Sequence, residues 1–246
     1  MGIDRFNQIR ILRKVTNEDQ KPKVSKCVQS SLDEVAQLLW RTSGQPQIRY
    51  TGNSLRTRLH TIMTPWMNEG FFADVVVLVE GEEDRALLGA FAMTAEQDLE
   101  GMGISIIPCL GKNNVGRPAA VFKMLGIPSY IIWDSDRDKP GADPEANRCL
   151  LRLLDHQEED WPALVGGSFA CFRDNFQSTV RAEVGGELFD GLMQRIQNEE
   201  GILIREQASK NVTVIRRVLQ EAITQGHTSA TLASILEYIL ELRRAI

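Results

Sequence analysis

The sequence predicts an α/β protein in which a parallel sheet is flanked by helices, with additional helical segments at both ends. Three apolar runs rich in Val and Ile lack polar alternation and are bounded by Gly, Pro or charged residues, as expected of strands buried on both faces. These runs are DVVVLV at 74–79, ISIIPCL at 104–110 and SYIIW at 129–133. The segments between them have the spacing of helices, so we expect a β-α-β-α-β order with right-handed crossovers.

Residues 1–70 are predicted to form an N-terminal helical and linker segment. A short alternating piece at 8–12 is predicted as an edge strand. Ser31 followed by Glu34 has the spacing of a capping box and predicts a helix start. A second helix is expected to be capped by Asn53 and to run toward Trp66. The apolar residues at helical spacing in that second helix are Leu55, Leu59, Ile62 and Met63.

Residues 71–180 are predicted to form the catalytic domain. Its first helix, at 84–91, has an acidic first turn, which the helix dipole favours. A fourth strand is predicted at 168–172, and residues 181–246 are predicted to be a C-terminal helical segment. The remaining helices are predicted at 118–125, 145–154, 188–196, 212–223 and 232–242.

Composition places few limits on the partner of this chain. Its 246 residues carry a formal net charge of -5 and are 43% hydrophobic, as in an ordinary globular protein. No apolar stretch is long enough to span a bilayer and the first residues contain no apolar signal core, so we expect a cytoplasmic protein without a membrane partner. The net charge neither supports nor excludes DNA, because an acidic site can mask a local basic face.

Acidic residues follow two of the predicted strands at the point where each strand ends. Glu80 follows the first strand, Asp84 lies one helical turn later, and Asp134 and Asp136 follow the third strand. In an extended segment the last two would point the same way, about 6 to 7 Å apart. Since carboxyl ends of parallel strands share one edge, the four carboxylates are expected to converge there. Oxygen donors without His or Cys favour Mg²⁺ or Mn²⁺ over zinc.

Other interpretations of these acidic residues can be tested by comparing their spacing with known sequence motifs. A charged helix start and a solvated loop would explain each motif separately, but clustered carboxylates on successive strands repel each other unless a cation lies between them. Asp134, Asp136, Asp138 and Glu145 have EF-hand spacing, yet Lys139 replaces the required glycine and a strand precedes them. The Asp-x-Asp pair of phosphatases with an aspartate nucleophile follows their first strand, so this alternative stays open only as a second choice.

Three sequence motifs resemble the Toprim domain, a Rossmann-like fold shared by topoisomerases, primases and nucleases. They are the segment 77–84 with Glu-Gly-x-x-Asp, the turn Gly111-Lys112-Asn113 and the segment 131–136 with Asp-Ser-Asp. Phe71-Phe72-Ala73 and the Asp-Arg-Asp-Lys loop are similar, more narrowly, to the OLD (overcoming lysogenisation defect) family of endonucleases. In that family an ABC-type ATPase precedes this domain. This sequence lacks the ATPase, so it resembles an isolated C-terminal nuclease region or a stand-alone relative, and the resemblance implies an ABC-type ATPase domain as a partner. Residues 5–25 would then be the segment that leaves the missing ATPase.

The resemblance implies a set of metal ligands and catalytic residues. Carried over by position, Glu80, Asp84, Asp134 and Asp136 would hold two divalent ions, Mg²⁺ or Mn²⁺. One ion would activate water and the other would stabilise the departing 3′ oxygen. Glu80, Asp134 and Asp136 are accordingly expected to be catalytic as well as ligating.

Two further positions follow from the same resemblance. The family has another acidic residue after the fourth strand, where this sequence offers Asp174 as a ligand and has Gln177 at the place of the expected Glu. Lys210 resembles the downstream catalytic lysine of the family. A solvated lysine near a helix start is the alternative, and Lys112 is then the next candidate.

The function implied is metal-dependent DNA endonuclease activity, by two-metal hydrolysis of phosphodiester bonds in DNA. An OLD-like region would serve phage defence or DNA processing. A small-substrate phosphohydrolase and a non-catalytic Toprim relative that binds nucleic acid or a partner remain alternatives. Nicking of supercoiled plasmid separates the first function from both others, and turnover of small phosphate esters identifies the second.

ATP is expected to have no effect on this chain. The sequence contains no G-x-x-x-x-G-K-[ST] loop to cradle phosphates, and a ligand that does not bind the native state cannot stabilise it. Thermal melting at constant free Mg²⁺, with and without ATP, measures this directly. A saturable rise in melting temperature with ATP would contradict the prediction.

Overall fold

The computed structural model describes residues 3–15, 23–45, 47, 50–60 and 65–246. Within them, a five-stranded sheet of order β4-β3-β5-β7-β6 forms the centre of the fold, and β1 and β2 form a separate antiparallel pair. Strands β4, β3, β5 and β7 are parallel, and only β6 runs antiparallel to its neighbour. The strands are β1 Ile11–Val15, β2 Val24–Val28, β3 Val75–Val79, β4 Ile104–Pro108, β5 Ser129–Asp134, β6 Leu164–Val165 and β7 Phe169–Phe172. The predicted α/β class with a mostly parallel sheet is confirmed.

Helices precede, connect and follow the strands, and a 3-10 helix at Ile3–Gln8 begins the described chain. The helices are α1 Leu32–Thr42, α2 Gly52–Leu59, α3 Pro65–Glu69, α4 Glu82–Thr94, α5 Lys112–Met124, α6 Pro144–Leu153, α7 Phe176–Val184, α8 Gly186–Glu199, α9 Arg205–Ser209, α10 Val212–Thr224 and α11 Ala230–Arg244. Among them, no helix is long and apolar enough to cross a membrane.

The sheet is buried on both faces because its strands have no polar alternation. Side chains alternate across a strand, so Val75, Val77 and Val79 pack on one side, against α4, α7, α8, α10 and α11. Val76 and Leu78 pack on the other side, against α1, α2, α5 and α6. All five residues of β3 are fully buried. The result is a three-layer arrangement in which β3 ends directly before Glu80 and the central strand β5 ends at Asp134.

The local sequence signals predicted some boundaries and missed others. The Ser31 capping box is confirmed, but α2 is capped by Thr51 and not by Asn53 as expected. Thr51 Oγ1 accepts the Ser54 N–H at 3.2 Å, which satisfies a helix-start donor two residues earlier than predicted. The residues Ile62 and Met63, expected to continue this helix, lie outside the described residues.

Three other elements differ from the sequence-based expectation. The edge strand predicted at 8–12 begins at Ile11 and pairs with β2, which was not predicted. The helix expected from Pro118 begins at Lys112, because the Gly-Lys-Asn turn is itself the first turn of α5. The two-residue strand β6 was also missed, since a strand this short has no periodicity to detect.

Asn147 on α6 ties that helix to the end of β5. Its side chain is fully buried and makes three hydrogen bonds. The amide nitrogen donates to the carbonyls of Ser135 at 3.0 Å and Asp160 at 2.7 Å, and the amide oxygen accepts the indole N–H of Trp133 at 3.2 Å. Trp133 is in β5 and Ser135 directly follows that strand, so the amide of Asn147 joins α6 to the end of β5.

Replacing Asn147 with Ala should lower the free energy of unfolding by about 2–4 kcal/mol, because the Trp133 N–H and the Asp160 carbonyl lose the partner that Asn147 supplies, while the Ser135 carbonyl keeps its bond from Lys112. Urea denaturation measures the change. Asn198→Ala is the matched control, since Asn198 is an exposed helical residue that accepts one bond from Gln194 at 3.1 Å. Equal stability of Asn147→Ala and Asn198→Ala would contradict the role given to the buried amide.

Candidate metal centre

Two carboxylates lie side by side where adjacent parallel strands end. Glu80 follows β3 and Asp134 is the last residue of β5, which pairs with β3. Glu80 Oε1 accepts the backbone N–H of Asp134 at 2.8 Å. The sheet therefore brings together two acids that are 54 positions apart in the chain.

Asp84 joins this pair from the first turn of α4. Its Oδ2 accepts the Gly81 N–H at 3.0 Å and so caps the helix that it belongs to. Its Oδ1 accepts a hydrogen bond from the side-chain amide of Gln177 on α7. Asp84 is only 5% exposed, so a carboxylate in the first helical turn, favourable for the helix dipole, is also desolvated.

Asp134 is held by the start of α7. Its Oδ1 accepts the backbone N–H of Phe176, the first residue of α7, at 3.0 Å. Asp134 is only 9% exposed. The second oxygens of this pair, Glu80 Oε2 and Asp134 Oδ2, accept no hydrogen bond from any residue that the structure describes.

Burial dominates the electrostatics of these three acids. Desolvation raises the pKa of Asp134 to about 8, with a further rise from the charges of Glu80 and Asp84. The same cause raises the pKa of Glu80 to about 7 and that of Asp84 to about 6, although backbone hydrogen bonds from Asp134 and Gly81 oppose the two shifts. The three carboxyl groups therefore do not all ionise at neutral pH without a compensating cation.

Asp136 lies beyond the end of β5 in a different backbone conformation. Its φ of 62° is in the left-handed region, so the extended geometry predicted for Asp134 to Asp136 is wrong. Asp136 Oδ2 lies 3.3 Å from Lys112 Nζ, and its Oδ1 lies 2.5 Å from Lys139 Nζ. Its charge still raises the pKa of Glu80, so this carboxylate belongs to the same acidic group.

The loop between the two aspartates is fixed through Ser135, which is fully buried. Its N–H donates to the Phe172 carbonyl at 2.7 Å and its hydroxyl donates to the Arg173 carbonyl at 3.1 Å. Its own carbonyl accepts from Lys112 Nζ at 2.9 Å and from Asn147 at 3.0 Å. Asn147 was not singled out from the sequence, because nothing local distinguishes it from other helical residues.

The predicted lysine, Lys210, follows α9 and faces the acids at the start of α4. Its Nζ lies 2.5 Å from Glu206 Oε1, and this bond, together with the charges of Glu83 and Glu82, raises the pKa of Lys210. The neighbouring Ser209 hydroxyl donates to Glu83 Oε1 at 2.6 Å. No described hydrogen bond or ion pair joins Lys210 to Asp134 or Asp136, so its catalytic role stays a prediction.

Asp174, the further acid predicted as a ligand, is exposed in the loop between β7 and α7. None of the hydrogen bonds or ion pairs of the described residues connects it to the other carboxylates. Gln177, three residues later, contacts Asp84 instead. The position that the resemblance assigned to an acid is thus occupied by a neutral amide, and the role of Asp174 stays a prediction.

The donor set fits a hard divalent cation by its chemistry. It consists of desolvated carboxylate oxygens that repel each other, and two of these oxygens, Glu80 Oε2 and Asp134 Oδ2, accept no hydrogen bond from the described residues. Among the described residues, no three Asp, Glu, His or Cys side chains form a ready-made metal-binding group. A cation would therefore draw carboxylate oxygens away from their present N–H and ammonium partners.

Comparisons with known proteins find similar solved structures. The C-terminal region of the Xanthomonas campestris pv. campestris OLD protein is 22% identical, with 71% of this chain and 98% of that chain covered and a TM-score of 0.46. The C-terminal region of the Burkholderia pseudomallei OLD protein is 23% identical, with 70% and 99% covered and a TM-score of 0.46. No curated protein matches the chain.

The sequence family that matches is described as "Overcoming lysogenization defect protein-like, TOPRIM domain", over residues 71–136. This range begins at Phe71, before β3, and ends at Asp136, after β5. It contains the buried acids Asp84 and Asp134 and the half-buried Glu80. Residues 71–136 are therefore similar to an OLD-like Toprim domain.

Proposed function

We propose that this chain is a divalent-cation-dependent endonuclease that hydrolyses phosphodiester bonds in DNA. The observation that carries the proposal is that the buried Asp84 and Asp134 and the half-buried Glu80 lie together at the carboxyl edge of the sheet. Carboxylates held in this way are unfavourable without a cation, and they lie where ligands bind in open parallel sheets. The OLD-like Toprim domain is consistent with a nuclease-type family.

Basic side chains near the acids support an anionic substrate. Lys112 and Lys139 contact Asp136, and Arg173 follows β7 with its guanidinium 3.5 Å from the Asp138 carboxylate. Arg173 and Lys139 have largely exposed side chains, 57% and 59%, so both can meet a ligand in solvent. A chain with net charge of -5 thus carries positive charge beside its acidic site, as DNA binding requires.

The roles of the residues follow from their contacts. Glu80, Asp84, Asp134 and Asp136 would hold Mg²⁺ or Mn²⁺, and two ions are proposed, as implied by the family resemblance. A bound cation would stabilise charge on the phosphate and lower the pKa of a water molecule. The N–H of Phe176 orients Asp134, while the Asp134 N–H orients Glu80. The site is therefore preorganised by backbone donors, which cannot rotate away.

Asp134→Asn should abolish nicking of supercoiled plasmid in Mg²⁺ or Mn²⁺, since it removes an anionic ligand while Asn Oδ1 still accepts the Phe176 N–H. The fold should persist, because the change removes a buried carboxylate. Gel assays of nicking and a thermal melt of each protein measure the two effects.

Asp98→Asn is the matched control for this substitution. Asp98 also accepts a backbone N–H, from Gly101 at 2.9 Å, but it is exposed and lies between α4 and β4, at the opposite edge of the sheet. It should nick as the wild type does. Nicking that persists in EDTA or in Asp134→Asn would overturn the proposed function, and turnover of small phosphate esters without nicking would indicate a phosphohydrolase.

The metal-free protein should lose stability as pH rises from about 5 to 9. The folded-state pKa values of Glu80, Asp84 and Asp134 lie above their ordinary values near 4, so their contribution is complete below pH 4 and is lost as pH rises through 6 to 8. Urea unfolding in EDTA measures the slope. For Asp134→Asn it should be shallower, by up to about 1.4 kcal/mol per pH unit for one bound proton.

Mg²⁺ should oppose this loss, because the cation binds the deprotonated carboxylates of the native state. We expect the increase in melting temperature caused by Mg²⁺ to be larger at pH 8.5 than at pH 6. An increase that is the same at both pH values, or the same in Asp134→Asn, would contradict cation binding by these acids.

A further inference from the structure

Lys112 places an ammonium group inside the acidic site. It is the first residue of α5, and its side chain is only 9% exposed. Its Nζ donates to the Ser135 carbonyl at 2.9 Å and to Asp136 Oδ2 at 3.3 Å. A buried cation requires partners of this kind, and their positions fix where the ammonium lies.

The ammonium group of Lys112 has more donors than these partners use. A lysine ammonium carries three N–H donors, and the described residues supply acceptors for two of them. One donor is left beside Asp136, in a position from which the charge of Lys112 also acts on Glu80. An anionic oxygen of a ligand bound to these acids would complete the set.

Two other lysines show what distinguishes Lys112. The Nζ of Lys123, near the end of the same helix, contacts the Leu153 carbonyl and the Asp155 carboxylate, each at 2.6 Å, but its side chain is 40% exposed and it lies far along the helix from the site. Lys210 pairs with Glu206, and its side chain is 37% exposed. Of these three lysines, only Lys112 has a side chain that is both largely buried and in contact with a site acid. Low solvent exposure strengthens the effect of its charge on a nearby phosphate.

We propose that Lys112 is a catalytic residue that donates its remaining N–H to a non-bridging oxygen of the scissile phosphate. This assignment rests on the proposed endonuclease function. In the hydrolysis, a water oxygen bonds to phosphorus while one P–O ester bond breaks; the water loses a proton and the departing oxygen gains one. Lys112 exchanges no proton. It stabilises the negative charge that grows on the phosphate in the transition state.

The test compares Lys112→Met with Lys123→Met and Lys210→Ala. Single-turnover cleavage in Mg²⁺ at saturating protein should fall by about 10²–10³-fold in Lys112→Met, and it should stay at the wild-type rate in Lys123→Met. DNA affinity in Ca²⁺ should change far less than the cleavage rate. The dependence of DNA affinity on salt concentration should become weaker, by the amount expected for the loss of about one phosphate contact. Lys210→Ala should also cut slowly if the catalytic role predicted for it is right.

Metal affinity does not depend on cleavage, so it distinguishes a direct contact of Lys112 with the phosphate from a role in which Lys112 only positions Asp136. Mn²⁺ affinity without DNA, measured by calorimetry, should be retained in Lys112→Met. A loss of Mn²⁺ affinity as large as the loss of turnover would show that Lys112 only positions Asp136, and would overturn the inference. Wild-type cleavage by Lys112→Met would overturn it as well.

A second variant covers the case in which Lys112→Met does not melt cooperatively. Lys112→Gln keeps an N–H donor for the Ser135 carbonyl but removes the charge. Slow cleavage by folded Lys112→Gln supports the inference and wild-type cleavage rejects it. If the wild-type protein itself does not nick DNA with any divalent cation, the proposed function fails; if it nicks and Lys112→Met nicks equally well, only the role of Lys112 fails.

Discussion

The repulsion among desolvated carboxylates at one sheet edge is the interaction on which the rest of this structure depends. Asp84 and Asp134 are buried and Glu80 is half-buried within one acidic group, and the pKa values of all three are raised because water stabilises their charges less. Such a group persists only if the surrounding fold supplies donors. The backbone N–H groups of Gly81 and Phe176 do so, from the starts of α4 and α7.

The fold meets this requirement with rigid elements on both sides of the sheet. Helices α4 and α7 pack on one face and present their first turns to the acids, while α5 and α6 pack on the other face. From α5 and α6, Lys112 and Asn147 both reach the Ser135 carbonyl. From the other layer, the first N–H of α7 binds Asp134, so the end of β5 is held from both layers. This is how a three-layer protein can position charged groups with little freedom.

Much of the architecture was accessible to sequence reasoning because it depends on local composition. Val75–Val79 is uniformly apolar, so it had to be a strand with two buried faces, and Ser31 with Glu34 predicted the start of α1 correctly. The start of α5 was misplaced because Pro118 has the properties of a first-turn residue, yet it lies inside the helix. The strand β2 was missed because its exposed pattern lacks a buried face.

The sequence by itself determined that Glu80 and Asp134 would lie at the same edge, because the carboxyl ends of neighbouring parallel strands necessarily coincide. Only the tertiary structure decided which side chains surround them. Gln177 meets Asp84 across 93 positions, and Lys112 meets Asp136 across 24, at a residue whose left-handed backbone no strand pattern predicts. The hydrophobic periodicity of a segment predicts which of its faces packs on the core. These contacts depend instead on the angles at which helices from different parts of the chain approach the sheet.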